Sequence, residues 1–323
     1  MKCDICHEEE AFYKRTYEGV SLCRKCFVNN IEEKVRRTIS KYDMLSPQGR
    51  VAVAVSGGKD SLTLLTIMNR IEREFPKIEL AAITIDEGIG GYRDEAIEIA
   101  ESYCKEVGVE HVVLSFKELF GHTLDSIVKS RRELTPCSYC GVLRRRAINE
   151  AAKTVKADVV ATAHNLDDEV QTFMLNLFHG DVNRIARVKP VLNDFTGLFL
   201  RRVKPLCEVV EKEVALFAYL TGIRFQSMPC PYMSTSLRND MRSILNRMEA
   251  KHSAGIKYTA YRSMEKIREM LEKSKVGVEL SNCEFCGEPT VAKVCEVCNL
   301  LGEFKGGEAT TGRCPNSCQY LHP

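Results

Sequence analysis

The middle of the chain alternates between continuous apolar runs and segments in which apolar residues recur with a helical period. Val51–Val55 form a continuous apolar run, and after a glycine-rich turn the apolar residues from Leu62 to Met68 recur with a helical period. This order predicts a buried strand followed by the helix that covers it. The same order recurs downstream, with strands predicted at 79–86, 111–116 and 157–164 and helices from Arg93, from near Cys137 and over 167–178.

Strands that are apolar on both faces indicate a parallel sheet with helices on each side. The predicted fold class is therefore α/β, with a doubly wound parallel sheet. Ligands of such sheets bind outside the carboxyl ends of the strands. The predicted strand ends carry Ser56–Gly58, Asp86–Gly88 and His164–Asn165, and we expect these three loops to line one crevice.

Cysteine pairs near both ends of the chain have the spacing of zinc ligands. The first set is Cys3, Cys6, Cys23 and Cys26, and the second is Cys283, Cys286, Cys295 and Cys298. Four thiolates arranged as two C-x-x-C pairs are typical of a tetrahedral structural zinc, so two structural Zn²⁺ ions are predicted. The tail adds Cys314, Cys318 and His322, but three ligands alone do not predict a further metal site.

These features divide the chain of 323 residues into one large domain with smaller parts around it. The predicted segments are an N-terminal zinc module (1–28), a helical linker (29–48, with a helix over Asn29–Tyr42), the α/β domain (49–235), a helical extension (236–280) and a C-terminal zinc module with its tail (281–323). The start has no apolar signal-peptide core and no apolar run spans a bilayer, so we expect a cytoplasmic protein without a membrane anchor. Grouped cysteines in that compartment are metal ligands or catalysts rather than disulfides.

A net charge of +2 gives no overall case for nucleic-acid binding, but the basic residues are clustered. The clusters are Lys129, Arg131 and Arg132; Arg144 to Arg146; Arg201, Arg202 and Lys204; and Arg238, Arg242 and Arg247. Any one of them is compatible with a solvated helix face. Four of them around one domain favour a polyanionic substrate.

The turn after the first strand reads SGGKDS, from Ser56 to Ser61. Two glycines let the backbone approach an anion, and the first-turn amides with the helix dipole stabilise negative charge. Lys59 adds a positive charge, and we expect Asp60 or Ser61 to cap the helix or to reach Mg²⁺. The turn lacks the Walker A spacing, yet it predicts a phosphate site. A plain glycine turn before a capped helix is the structural alternative.

AVSGGKDS resembles the pyrophosphate-loop motif of the adenine nucleotide α-hydrolase-like family, whose members cleave ATP between the α- and β-phosphates. Further blocks resemble the tRNA 2-thiouridine synthetases, which include the TtuA type, their archaeal NcsA relatives and the eukaryotic cytosolic thiouridylase catalytic subunit. These blocks are TPCSYCGVLRRR, ATAHNLDDEVQTFMLNLFHGDVNRIAR, RRVKPL and PCPY. The resemblance covers almost the whole chain and both zinc modules. It departs at Ala163, where the family usually has glycine, and we expect backbone contact with the nucleotide to survive.

The resemblance implies a tRNA sulfurtransferase that uses ATP and Mg²⁺. Such an enzyme adenylates the C2 oxygen of a uridine, releasing PPi, and AMP then leaves when sulfur attacks C2. The implied nucleotide-binding residues are Val55, Ser56, Gly57, Gly58, Lys59, Asp60, Ser61, Arg144 and Ala163. The implied partners are tRNA, a second copy of the chain, and either a ubiquitin-like carrier with a thiocarboxylate or inorganic sulfide. We favour wobble uridine 34 as the target, with uridine 54 of the T-loop as the alternative.

Outside the zinc modules, Cys104 and Cys207 are expected in the core, which leaves Cys137, Cys140 and Cys230. Three readings of this trio stay open. The first is a [4Fe-4S] cluster with three thiolate ligands and one iron free to bind sulfide. The second is persulfide and disulfide chemistry without a cluster. The third is a zinc site with an unidentified fourth ligand. The resemblance favours the cluster, with Cys137 and Cys230 at the catalytic site.

Asp168 matches an acidic residue that the same family uses in catalysis. It would orient sulfide or act as a base, and charge on the first turn of a helix is its structural alternative. Rival functions are tRNA cytidine thiolation, lysidine synthesis and a non-catalytic zinc-bearing RNA-binding subunit. The intact SGGKDS turn argues against the last, because a binding module has no need of an ATP loop.

Overall fold

The computed structural model describes residues 1–130, 134–192, 200–233, 237–273 and 281–302. The chain begins with an antiparallel hairpin, β1 (Tyr13–Arg15) and β2 (Val20–Leu22), followed by α1 (Arg24–Lys41). The predicted linker helix therefore begins five residues earlier than expected. It does so because Cys23 caps it, its thiol accepting the amide of Cys26.

The α/β region confirms the predicted alternation of strands and helices. In chain order it contains β3 (Gly49–Ala54), α2 (Lys59–Glu72), β4 (Ile78–Asp86), α3 (Arg93–Val107), β5 (Glu110–Ser115), α4 (Phe116–Phe120), α5 (Leu124–Ser130), α6 (Pro136–Thr154), β6 (Val159–Ala161), α7 (Leu166–Phe178), α8 (Val182–Arg187), β7 (Val191–Leu192), β8 (Arg201–Val203) and α9 (Glu211–Leu220). The later elements are α10 (Leu237–Lys251), α11 (Ile256–Lys273), β9 (Ser281–Asn282), β10 (Pro289–Thr290) and α12 (Glu296–Gly302).

The central sheet has six strands in the order β5-β4-β3-β6-β8-β7. All neighbours pair in parallel except β7, which runs antiparallel to β8 at the edge. The chain moves outward from β3 through β4 to β5 and then returns to place β6 on the other side of β3. A ligand crevice is expected at this reversal, beyond the carboxyl ends of β3 and β6.

Helices cover the sheet on both faces, as the doubly wound fold requires. One apolar core joins α1, α2 and α9 to the sheet, and includes the buried thiols of Cys104 and Cys207. The second core lies under α4, α5, α6 and α12, and a third joins α7 and α8 to α10 and α11. Both cysteines predicted to be core residues are therefore confirmed. Across the described residues, no helix combines the length and the apolar character that crossing a membrane requires.

The N-terminal hairpin is attached to the α/β domain by a buried ion pair. Arg15 Nε lies 2.7 Å from Glu213 Oε1, with the two side chains only 2% and 0% exposed. Tyr17 donates a hydrogen bond to the same carboxylate, and Lys34 on α1 donates to Tyr258 on α11. The module is thus anchored to α9 and α11 at once.

Candidate active site

The glycine-rich turn joins β3 to α2 at the carboxyl edge of the sheet. Gly57 has φ +82°, and a Cβ on it would lie 2.3 Å from the carbonyl oxygen of Ala96. Glycine is therefore required there by backbone conformation and by packing against α3. At Gly58 a Cβ would meet only the Ser56 hydroxyl, 3.5 Å away, so this position leaves the approach to the turn open.

The polar residues of the turn hold its shape but do not cap α2. Gly58 is the N-cap and has no side chain that could accept the first-turn amides, so the expected cap by Asp60 or Ser61 is wrong. Ser61 Oγ instead accepts the Ser56 amide at 3.0 Å and donates to the Gly58 carbonyl at 2.9 Å. The unused first-turn amides of α2 remain available to an anion.

Two carboxylates neutralise Lys59. Its Nζ lies 2.7 Å from Asp60 Oδ2 and 2.9 Å from Glu211 Oε1 at the start of α9. Burial opposes the charged form, but these two carboxylates outweigh it and raise the pKa of Lys59. Glu211 was not identified from the sequence, since nothing in a helix-starting glutamate signals a partner 152 residues away.

The end of β6 faces the same turn. Asn165 Nδ2 donates to Asp60 Oδ1 at 3.0 Å, and Asn165 and Asp168 form a reciprocal capping box at the start of α7. Ala163, half-buried, packs against the core beneath the turn. Val55 is buried directly before the turn. The strand ends of β3 and β6 therefore meet, as predicted.

Asp168 has an unusual environment for a carboxylate. Burial raises its pKa to about 6, the amide of Asn165 lowers it, and the charge of Asp60 raises it further. Arg238 on α10 donates to the Asp168 backbone carbonyl and to Thr172. A carboxylate whose pKa lies this close to neutrality can take up and release a proton under working conditions.

The two cysteines of the C-x-x-C pair lie in the first turns of α6. Thr135 caps this helix and Pro136 occupies its first position, which fixes where the helix begins. Cys137 is exposed, whereas Cys140 is buried, and burial raises the pKa of Cys140 to about 11 against the charge of Arg144.

Cys230 belongs to a loop that lies against the start of α6. Its side chain packs on the same core as Cys140, and the Cys137 thiol points at the carbonyl of Tyr232, 3.8 Å away. The charges of Cys137 and Cys230 both act on Cys140, so the three thiols are neighbours. The predicted third partner is thus brought to the pair.

The trio differs from the two sets of four cysteines. In each of those sets all four sulfur atoms lie within 4.8 Å of one another, which suits a single tetrahedral ion. Among the described residues, no other group of three or more candidate ligands is gathered so tightly. The three thiols of the trio are therefore not gathered around a single point as those of the two sets are. Cys314, Cys318 and His322 lie outside the described residues.

Two arginines and one glutamate connect the glycine-rich turn with the cysteines. Arg93 donates to the Ser56 carbonyl at 3.0 Å, and its Nε lies 2.7 Å from Glu87 Oε2. Glu87 Oε1 lies 2.7 Å from Arg144 Nε, and Arg144 Nη2 donates to Cys140 Sγ at 3.1 Å. We call this set of three residues the Arg93–Glu87–Arg144 bridge. The sequence placed Glu87 at a strand end but gave no sign of these contacts.

The predicted basic clusters contain both residues held in ion pairs and residues exposed to solvent. Arg144 and Arg146 are held in ion pairs, the latter with Glu150 and Glu288. Arg145 is exposed, and its charge together with burial lowers the pKa of Arg202 to about 10. Of the other predicted basic residues, Arg242 pairs with Glu211, Lys204 pairs with Glu169, and Arg131 and Arg132 lie outside the described residues.

Comparisons with known proteins agree with this geometry. A family model described as a PP-loop domain matches residues 28–249. The tRNA 2-thiolation protein NcsA of Haloferax volcanii is 35% identical over 93% of this chain and 98% of its own length. The tRNA-5-methyluridine(54) 2-sulfurtransferase of Pyrococcus horikoshii is 34% identical over 94% of each chain. A solved structure of the U34-tRNA thiolase NcsA from Methanococcus maripaludis, with its [4Fe-4S] cluster, has a TM-score of 0.82 and 34% identity, covering 97% of this chain and 99% of that one.

Proposed function

The chain belongs to the PP-loop family, within its group of tRNA 2-thiolation enzymes, and we propose that it replaces the C2 oxygen of a tRNA uridine with sulfur at the expense of ATP. One observation carries this proposal: the glycine-rich turn and the cysteine trio lie at one edge of the sheet, joined by the Arg93–Glu87–Arg144 bridge. A phosphate-binding turn and a thiolate site in one crevice are what activation by ATP followed by sulfur transfer requires.

The nucleotide would bind at the turn between β3 and α2. The first-turn amides of α2 would hold its phosphates, with Lys59 exchanging its present partners Asp60 and Glu211 for phosphate oxygens. Asp60, relieved of Lys59, would then face Mg²⁺, which prefers carboxylate oxygens. The backbone at Val55, Ser56 and Ala163 would contact the adenosine part. The uridine O2 attacks the α-phosphate, and PPi leaves.

The cysteine trio would hold the cluster. Its donor set of three thiols, one of them buried in an apolar surrounding, suits a [4Fe-4S] group better than one ion. When bound, that cluster supplies an iron with a free coordination position for the sulfur atom. The apolar side chains around Cys140 would exclude water, which protects the adenylated uridine from hydrolysis.

Asp168 would serve as the proton acceptor of the site. With a pKa of about 6 it is largely a carboxylate at neutral pH, yet still basic enough to take a proton from an incoming sulfur donor. The Asn165 amide donates to Asp168 Oδ2 at 3.1 Å and so holds the carboxyl group in place, where the charge of Asp60 acts on it. The two sets of four cysteines would each hold a structural Zn²⁺.

The tRNA would lie across the exposed Arg145 and the partly buried Arg202 beside it. Two arginines close together, with burial depressing the pKa of Arg202, gain when a phosphate is placed between them. We favour wobble uridine 34 over uridine 54 as the target. The proposed sulfur donor is either a thiocarboxylated ubiquitin-like carrier or sulfide. We propose a homodimer that acts in the cytoplasm.

The test is anaerobic purification followed by metal analysis and a thiolation assay. We expect about four irons per chain with a broad absorption band near about 400 nm, together with zinc, and AMP release that depends on tRNA. Mass spectrometry of nucleosides from digested tRNA fragments then identifies the modified uridine. Finding zinc but no iron in an active preparation would overturn the cluster. Modification confined to uridine 54 would overturn the wobble assignment.

A further inference from the structure

Glu87 occupies a position that no part of the proposed chemistry uses directly. It follows β4 at the carboxyl edge of the sheet, and its side chain is only 3% exposed. A carboxylate buried to this degree needs partners of opposite charge. It has two, because each of its oxygens lies 2.7 Å from a different guanidinium, that of Arg93 or that of Arg144.

The two arginines contact different parts of the site, Arg93 the glycine-rich turn and Arg144 the cysteine trio. Arg93 is 5% exposed and fixes two neighbouring strand ends, donating to the carbonyls of Ser56 at 3.0 Å and of Ile85 at 2.7 Å. Arg144 is 48% exposed and donates to Cys140 Sγ at 3.1 Å. Without the carboxylate, the two guanidinium groups would face each other unpaired and move apart.

We propose that Glu87 is a positioning residue that couples nucleotide binding at the glycine-rich turn to occupancy of the cysteine site. A shift of the turn on binding phosphate is passed to Arg93 through the Ser56 carbonyl and to Arg144 through the shared carboxylate. Each oxygen forms an ion pair with a different arginine, so the carboxylate links the two arms. Glu87 itself touches neither ATP nor the cysteines. The inference rests on the proposed function of these two sites.

The experiment compares ATP affinity in metal-free and iron-reconstituted protein by anaerobic calorimetry. In the wild type we expect the two dissociation constants to differ by about fivefold or more, the usual lower range for coupled sites. In Glu87→Gln the ratio falls to about one, because an amide can accept from one arginine but presents N–H groups to the other. After one-electron reduction with dithionite, the wild-type cluster should also change its electron paramagnetic resonance spectrum on addition of ATP, and the variant cluster should not.

Glu110→Gln is the matched control, since Glu110 also pairs with an arginine but lies at the opposite end of the sheet, 52% exposed. It should keep the wild-type ratio. If Glu87→Gln does not fold, Arg144→Gln cuts the bridge at its exposed end and should abolish the coupling equally. A wild-type ratio of one, or a ratio preserved in the variants, overturns the proposal. Failure of the wild type to bind either ATP or iron would overturn the proposed function along with it.

Discussion

The N-terminal cysteine set and the central cysteine trio are built from the same thiol chemistry in opposite ways. The N-terminal set has four sulfur atoms within 4.8 Å of one another, two of the cysteines being fully buried. The trio offers three thiols, from exposed Cys137 to buried Cys140, that are not gathered around one point. Four ligands close a tetrahedral site, whereas three leave a position for chemistry.

The two sites also differ in how their surroundings connect them to the rest of the domain. The N-terminal module is fixed to the domain by Arg15 and Glu213, both buried, and among the described residues no hydrogen bond or ion pair joins residues 1–28 to the glycine-rich turn. The trio is joined to that turn by the Arg93–Glu87–Arg144 bridge. The difference teaches that two features distinguish the sites together: the number of thiols, and the residues to which the neighbouring charged side chains connect.

The largest effect should come from removing one thiol of the trio. We expect Cys230→Ala to lose its iron and its thiolation activity while retaining both zinc ions, because two ligands cannot hold the cluster. Metal analysis of anaerobically purified protein checks this. Cys104→Ala, which removes a core thiol instead, should keep both iron and activity. Loss of zinc together with iron in Cys230→Ala would break the distinction between the two sites.

Removing one thiol of the N-terminal set should have a structural effect instead. We expect Cys26→Ala to lose about one zinc and to expose residues 1–28 to limited proteolysis, since zinc supplies about 10 kcal/mol or more of folding free energy in small zinc modules. Iron at the trio should stay bound. The neighbouring exposed Lys25→Ala serves as the control. A protected N-terminus in Cys26→Ala would mean that the hairpin folds without metal.

The attachment of the N-terminal module should contribute a smaller but measurable amount. Glu213→Gln removes the buried countercharge of Arg15 and leaves it only the partly exposed Glu18, and we expect a loss of about 3 kcal/mol in the free energy of unfolding. Chemical denaturation measures it. Glu18→Gln removes the other carboxylate paired with Arg15, one that is 42% exposed, and should cost about 1 kcal/mol or less. Equal losses in the two variants would show that burial of this pair has no special weight.

The smallest effect should be the pH dependence that Asp168 gives to the free energy of unfolding. The folded chain raises the pKa of Asp168 to about 6, so it binds this proton more tightly than the unfolded chain, whose aspartates titrate near about 4. Ionisation of Asp168 therefore lowers stability as pH rises through this window. Asp168→Asn should be inactive, yet gain stability relative to the wild type between about pH 4 and about pH 6.5. Denaturation curves at the two pH values test this, with Asp94→Asn controlling for loss of a first-turn carboxylate.

The sequence predicts the sheet well where the strands are long and apolar. Val51–Val55 and 79–86 are long apolar runs that favour buried strands. The observed β3 begins two residues earlier and ends one residue earlier than predicted, and β4 begins one residue earlier and ends at the predicted residue. β8 was not predicted, because two of the three residues in Arg201–Val203 are arginines and so short a strand has no readable period. It pairs in parallel with the edge of β6 that does not pair with β3, and so satisfies backbone groups of a buried strand.

Of the site, the sequence predicts the residue types but not their connections. C-x-x-C spacing predicts zinc ligands because the paired cysteines lie close together in sequence. The SGGKDS turn predicts a phosphate site for the same reason, since all its residues are consecutive. Gly57 was expected to admit a phosphate, whereas it is also required by the approach of the Ala96 carbonyl. Glu87 and Glu211 act through partners distant in sequence, and only the packing of three helices on one sheet edge brings those partners together.

The spacing of the thiols along the chain has a consequence for biosynthesis. In the N-terminal set Cys6 and Cys23 are 17 residues apart, so the ribosome releases a complete metal-binding module within the first moments of translation. At the trio, the Cys137 thiol meets a carbonyl 95 residues further along the chain. The nascent chain therefore completes the proposed zinc site long before the proposed iron site. On that proposal, iron and sulfide would be delivered only after the α/β domain has been synthesised and Cys230 has left the exit tunnel.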